Sequence, residues 1–232
     1  MATHDESPPI GFVCFRETMA ARDLWGAVFP SELGWMACLW RGQRLAWNSF
    51  GIDSEPSAHA ALQAFARSER PSAIDVFVSE ATLDECPLPL RELAQRLARF
   101  ARDFDDRFLD LPLDLDHLGP FTRRVLDACR AVAPGHTVSY ADLAVQAGSP
   151  GAARAVGNAM ARNRFPLIVP CHRVVGAKGH LGGYSAPQGL AMKRRLLAAE
   201  STNDAARLQR NRAADRQTTQ AERFASDRSG SL

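Results

Sequence analysis

Hydrophobic positions recur along this chain with two different spacings, and the change falls near residue 116. In the first part, short apolar runs alternate with helix-like stretches. Phe12–Met19 reads as a strand. Leu33–Leu39 and Leu45–Phe50, rich in Trp and Leu, read as a hairpin turning around Arg41-Gly42-Gln43. Ser57–Arg67 is Ala-rich and predicts a helix, and the β-branched and aromatic residues of Ala73–Val78 predict another strand. Arg91–Phe104 places Leu93, Leu97, Phe100 and Phe104 at helical period, after which Leu109–Leu115 looks extended. Residues 1–116 therefore predict a mixed α/β domain.

The pattern over residues 117–200 is mostly helical. Pro120 suits the first turn of a helix whose apolar face carries Phe121, Val125, Leu126, Cys129 and Val132, and Pro134-Gly135 ends it. Ser139 can cap a short helix, Tyr140–Ala147, closed by Gly148. After Ser149-Pro150-Gly151 an Ala-rich helix runs to about Arg162. Two short helices joined by a Gly-containing turn have the outline of a helix-turn-helix, though the same outline without the charge pattern favours an ordinary helical hairpin. Leu190–Ala199 predicts a last helix. Beyond Glu200 the apolar period is lost, so residues 201–232 read as a disordered or loosely helical tail.

Composition narrows the class. A chain of 46% hydrophobic and 23% charged residues is ordinary for a globular protein, which excludes wholesale disorder. The longest apolar neighbourhood, Leu24 to Trp47, is broken by Pro30, Glu32, Arg41 and Arg44, so no membrane span is expected. The polar, acidic start, Met1 to Pro9, lacks the order of a signal peptide, and a cytoplasmic protein is expected. Five scattered cysteines without a C-x-x-C pair fit neither a disulfide framework nor a zinc finger.

The formal charge of +2 conceals a division. Residues 1–118 hold 11 Arg and 19 acids, a net of −8, whereas residues 119–200 hold 11 Lys and Arg against three acids, a net of +8. Such a local excess fits a polyanion-binding surface or a merely solvated basic face.

The chemistry concentrates in Leu167-Ile168-Val169-Pro170-Cys171-His172-Arg173-Val174-Val175. An apolar run delivers a Cys-His pair after a proline that favours an extended chain. A thiolate is the nucleophilic form of cysteine, and a nearby imidazole can take its proton. In an extended segment the two side chains point apart, so a bridging water would carry that proton. A buried structural Cys-His pair has the same local pattern.

The ordered blocks around that run are more specific. They are Thr137-Val138-Ser139-Tyr140, Ala152 to Met160, Asn163, Pro170 to Val175, Gly182-Gly183-Tyr184-Ser185, and Lys193 to Glu200. In this order the sequence resembles the 6-O-alkylguanine-DNA alkyltransferases, closely over about residues 110–200 and loosely before. The resemblance implies a ribonuclease-H-like N-terminal domain and a winged-helix-like helical domain containing the helix-turn-helix. It implies single-turnover transfer of a methyl or small alkyl group from guanine oxygen-6, or from thymine oxygen-4, to a cysteine.

Carried over by position, Cys171 is the alkyl acceptor, His172 relays its proton through water, and Glu200 orients the imidazole. Tyr140 contacts the guanine and helps turn the flipped nucleotide, and Arg154 fills the gap left in the duplex. Ala153, Ala155 and Gly157 allow a close approach to the minor groove, Asn163 is a hinge, and Tyr184 and Ser185 belong to the loop over the base. Thr122, Arg123 and Ser149 lie where the family touches backbone or sugar. Alkylated duplex DNA is the implied partner of a monomer, with no cofactor and no metal. The rivals are a lesion-binding module without transfer, against which Cys171 argues, and a transcription regulator, for which Ala152–Ala159 offers few base-reading side chains.

Overall fold

The computed structural model describes residues 11–16, 24–69, 79–81 and 86–203. Among the described residues five strands form one antiparallel sheet in the order β4-β3-β2-β1-β5: β1 Val13–Arg16, β2 Leu24–Phe29, β3 Trp35–Arg41, β4 Arg44–Ile52 and β5 Ser79–Ala81. The expected hairpin is β3–β4, closed by Gly42-Gln43 with Gly42 at φ 57°. The strand expected at Ala73–Val78 lies outside the described residues, as does the 17–19 end of the first strand.

Strand β2 was not expected, because Leu24-Trp25-Gly26-Ala27-Val28-Phe29 does not alternate. All six residues are buried because both faces of the sheet are covered. Helix α1, Glu55–Glu69, packs Ala58, Leu62 and Ala66 against Leu24, Val28, Ala37 and Leu39. The other face presents Trp25, Ala27, Phe29, Cys38 and Trp40 to helix α2, Leu88–Asp103, and to the second half of the chain. That core runs without a break from Cys14 to Leu196.

In the second half, helix α3 is Pro120–Ala131, α4 is Tyr140–Gln146 and α5 is Ala153–Ala161. Pro120 occupies the first turn of α3 and the Ser139 hydroxyl accepts the Asp142 N–H at 3.0 Å, both as the sequence predicts. A two-stranded parallel ladder pairs β6, Val138–Ser139, with β7, Val174–Val175. It sets the start of α4 beside the segment that follows Cys171. The final helix, α6, covers 189–203, so residues expected to open the tail continue a helix.

The halves are joined at β4. The Asn48 N–H donates to the Arg164 carbonyl and its Nδ2 to the Pro166 carbonyl, each at 2.9 Å. Leu45 N–H donates to Pro112 O at 2.9 Å, and Asp114 N–H to Leu45 O at 2.8 Å. Arg41 pairs with Asp114 at 2.9 Å, and Glu69 on α1 pairs with Arg164 at 3.1 Å.

Candidate active site

The Pro170–Val175 run departs from the extended course expected of it. Pro170 has φ −79° and ψ 66°, and the Cys171 N–H donates back to Val169 O at 2.8 Å, which is an inverse γ-turn. The Arg173 N–H then reaches Pro170 O at 2.8 Å, winding Cys171–Arg173 into a single 3-10 turn before β7 begins. Proline's fixed φ suits the γ-turn, and the turn brings His172 and Arg173 to one carboxylate instead of sending them to opposite sides.

That carboxylate is Glu200 on α6. It meets His172 Nε2 at 2.8 Å, Arg173 Nη2 at 2.8 Å and Arg173 Nε at 3.0 Å. The Gly135 N–H adds a contact at 3.4 Å, and Arg173 Nη1 donates to Val132 O at 2.6 Å. Both His172 and Glu200 are 0% exposed. Burial works against the Glu200 charge, but bonds from His172 and Arg173 hold its carboxyl down at about 2. Burial also pushes the His172 imidazole below its ordinary value, with Glu200 in partial opposition. A neutral His172 therefore donates Nε2–H to an ionised Glu200. Its buried Nδ1 makes no hydrogen bond within the described residues and presents a basic lone pair.

Cys171 is 6% exposed. Burial raises its thiol pKa; a hydrogen bond from Asn163 and the charge of Lys193 act the other way. The resting sulfur is thus a protonated thiol, the weakly nucleophilic form.

Cys171 opens onto a cavity of about 330 Å³ lined by Tyr140, Gly157, Met160, Ala161, Gly183, Tyr184 and Ser185. Both tyrosines of the chain are here. Burial raises both phenols, so each stays a hydrogen-bond donor, and the buried Tyr184 hydroxyl has no partner among the described residues. Lys193, fully buried, donates to Val174 O at 2.7 Å and to Leu181 O at 2.5 Å. It ties the loop carrying Tyr184 and Ser185 to the strand that follows Cys171.

The remaining expected residues fall in three places. Asn163 lies behind the site, its Nδ2 donating to Val169 O at 2.8 Å and its Oδ1 accepting the Phe165 N–H at 3.0 Å. It thereby braces the carbonyl that also receives the Cys171 N–H. Arg154 and Ala155 are exposed on α5 with the half-buried Ala153 beside them, and the half-buried Ser149 sits in the turn before α5. Thr122 lines a different cleft, together with Ala155. Arg123 donates Nε to Leu118 O at 2.8 Å and Nη2 to Asp116 O at 3.0 Å, so its guanidinium braces a loop of its own chain. Sequence reasoning missed Arg173, Lys193 and Met160. Arg173 and Lys193 lay inside the motif blocks, but a cation's burial against a specific carboxylate or carbonyl leaves no local pattern.

Residues 120–202 match the family model described as "6-O-methylguanine DNA methyltransferase, DNA binding domain". A methylated-DNA–protein-cysteine methyltransferase of Mycolicibacterium paratuberculosis is 41% identical over 119 residues, which are 51% of this chain and 71% of that protein. The chain belongs to this methyltransferase family. A namesake in Methanothermobacter thermautotrophicus is 34% identical over 117 residues, 50% of this chain and 64% of its own length. The crystal structure of Mycobacterium tuberculosis O6-methylguanine methyltransferase superposes with a TM-score of 0.55 at 29% identity, covering 76% of this chain and 92% of that one. The family match and the site coincide, since 120–202 contains Cys171, His172, Arg173 and Glu200.

Proposed function

We propose that this protein repairs DNA by moving a methyl or small alkyl group from oxygen-6 of guanine, or oxygen-4 of thymine, onto Cys171. The observation that carries this reading is the buried Cys171-His172-Glu200 arrangement opening onto a base-sized cavity. The alkyl carbon is unreachable inside the stack, so the nucleotide is flipped out and Arg154 fills the vacated space. Tyr140 contacts the guanine, and the loop of Tyr184 and Ser185 closes over it. Ala153, Ala155 and Gly157 let α5 approach the minor groove; Thr122, Arg123 and Ser149 lie along the backbone path.

In the transfer the S–C bond forms as the C–O6 bond breaks. The thiol proton passes to His172 Nδ1 through a water, and a protonated phenol neutralises the departing guanine oxygen. Glu200 stays ionised and stabilises the imidazolium that forms. The thioether product lacks a leaving group, so each molecule acts once. We read 1–116 as a ribonuclease-H-like domain, supported by the β1–β4 meander with helices on its faces, and 117–200 as the DNA-binding domain, supported by the family match. Within it α4 and α5 form the helix-turn-helix. The working form is a cytoplasmic monomer.

The test is incubation with a duplex containing 6-O-methylguanine, followed by mass spectrometry of tryptic peptides. The Cys171 peptide is expected to gain one methylene mass, and Cys171→Ser is expected to abolish repair. Bound DNA with an unmodified Cys171 peptide would overturn the reading.

A further inference from the structure

A second cleft, of about 280 Å³, lies against α5 on the flank away from Cys171. The helix separates the two. Gly157 and Ala161 face the acceptor cavity, whereas Ala155, Asn158 and Arg162 face the cleft. At 3.6 residues per turn Arg154 falls between these faces, on the exposed edge. A duplex that delivers a nucleotide to one flank, with its minor groove over Arg154, must lay its other strand over the opposite flank.

The cleft is built and cationic. Thr122 and His117 form the wall facing α5. The loop carrying His117 is fixed by the two bonds from Arg123 to the carbonyls of Asp116 and Leu118. Arg164, at the far end, is paired with Glu69, and Arg41 nearby is paired with Asp114 and Glu69. By contrast the exposed Arg162 guanidinium makes no ion pair or hydrogen bond with the described residues. The unneutralised charge of the cleft is therefore Arg162, flanked by the amide of Asn158 and the hydroxyl of Thr122, all of which complement an oxyanion.

We propose that this cleft holds a backbone phosphate of the strand opposite the one whose nucleotide enters the Cys171 cavity, with Arg162 as its ion-pair partner. The proposal rests on the DNA-repair reading above. It makes the two flanks of α5 a base site and a phosphate site, and fixes the register of the helix across the groove.

The experiment compares full-length wild type with Arg162→Gln. Binding to unmodified duplex is measured by fluorescence anisotropy from 50 to 200 mM salt, and methyl transfer is measured from duplex and from single-stranded 6-O-methylguanine oligonucleotides. Loss of one phosphate contact is expected to reduce the slope of log affinity against log salt by about 0.9. The duplex-to-single-strand ratio of transfer rates is expected to fall about five-fold or more, because a single strand has no opposite phosphate. An unchanged duplex slope would overturn the phosphate site, and equal losses on both substrates would overturn its assignment to the opposite strand. Wild type that binds duplex but leaves Cys171 unmodified would instead overturn the repair reading, while the salt slopes still report on the cleft.

Discussion

The sheet half and the helical half of this protein differ in how each uses its buried polar groups. In the sheet half the described charged side chains keep some contact with solvent, Asp114 the least at 9% exposed; Arg96, for example, bridges Asp106 at 2.8 Å and Asp110 at 2.7 Å. The helical half buries His172, Arg173, Lys193 and Glu200 outright. Buried charge is tolerated there because each of these side chains is bonded, with only His172 Nδ1 lacking a partner among the described residues. Among the described residues, the sheet half supplies none to the lining of the cavity beside Cys171. It acts through Asn48, which holds the carbonyls of Arg164 and Pro166 one and three residues after Asn163. The route from β4 to Val169 O and the Cys171 N–H runs through these hydrogen bonds and the backbone of 163–166 that links them, so the half without the chemistry holds the backbone of the half that has it.

The largest effect that would sharpen this contrast is at Glu200. Glu200→Ala leaves Arg173 buried and unpaired, and is expected to cost about 3–5 kcal/mol in urea unfolding along with methyl transfer. A loss below 1 kcal/mol would mean the helical half does not depend on its buried charge. Next is Asn48→Ala, in the other half. Leaving the Pro166 carbonyl without its donor is expected to cost about 1–3 kcal/mol. It should also slow transfer from a free alkylguanine base, although Asn48 is remote from the cavity. Normal transfer in a destabilised variant would break the proposed route.

A pH series separates the halves by another means. The His172 pKa lies below its unfolded value near 6.5, so the folded state binds its proton less readily than the unfolded chain. Stability is fully present above that pH and is lost as pH falls through the lowered folded value. His172→Gln should flatten unfolding free energy over that window; an unchanged curve would place the effect elsewhere. The smallest effect is expected from Glu69→Gln, which breaks the partly exposed pairs with Arg41 and Arg164. Such pairs contribute about 0–1 kcal/mol, and the loss should shrink in high salt.

Much of this was readable from local pattern. Helices α3, α4 and α5 fall within a residue or two of expectation because caps and breakers such as Ser139, Pro120 and Gly148 act locally. The β3–β4 hairpin was readable for the same reason. Strand β2 was hidden because a strand covered on both faces loses its alternation. The 3-10 turn at Cys171 was hidden because proline is equally at home in an extended run and in a γ-turn.

By itself the sequence determined where the Cys171-His172 pair lies, which half is basic, and the order of the blocks around the pair, since these are read directly from residue types and spacing. Only the tertiary structure decided that one carboxylate serves both His172 and Arg173, that His172 Nδ1 has no hydrogen-bond partner among the described residues, and that α5 separates two clefts. These depend on residues far apart in the chain converging in a volume closed to water. There each charge needs a specific partner, and sequence spacing carries no record of which partner that is.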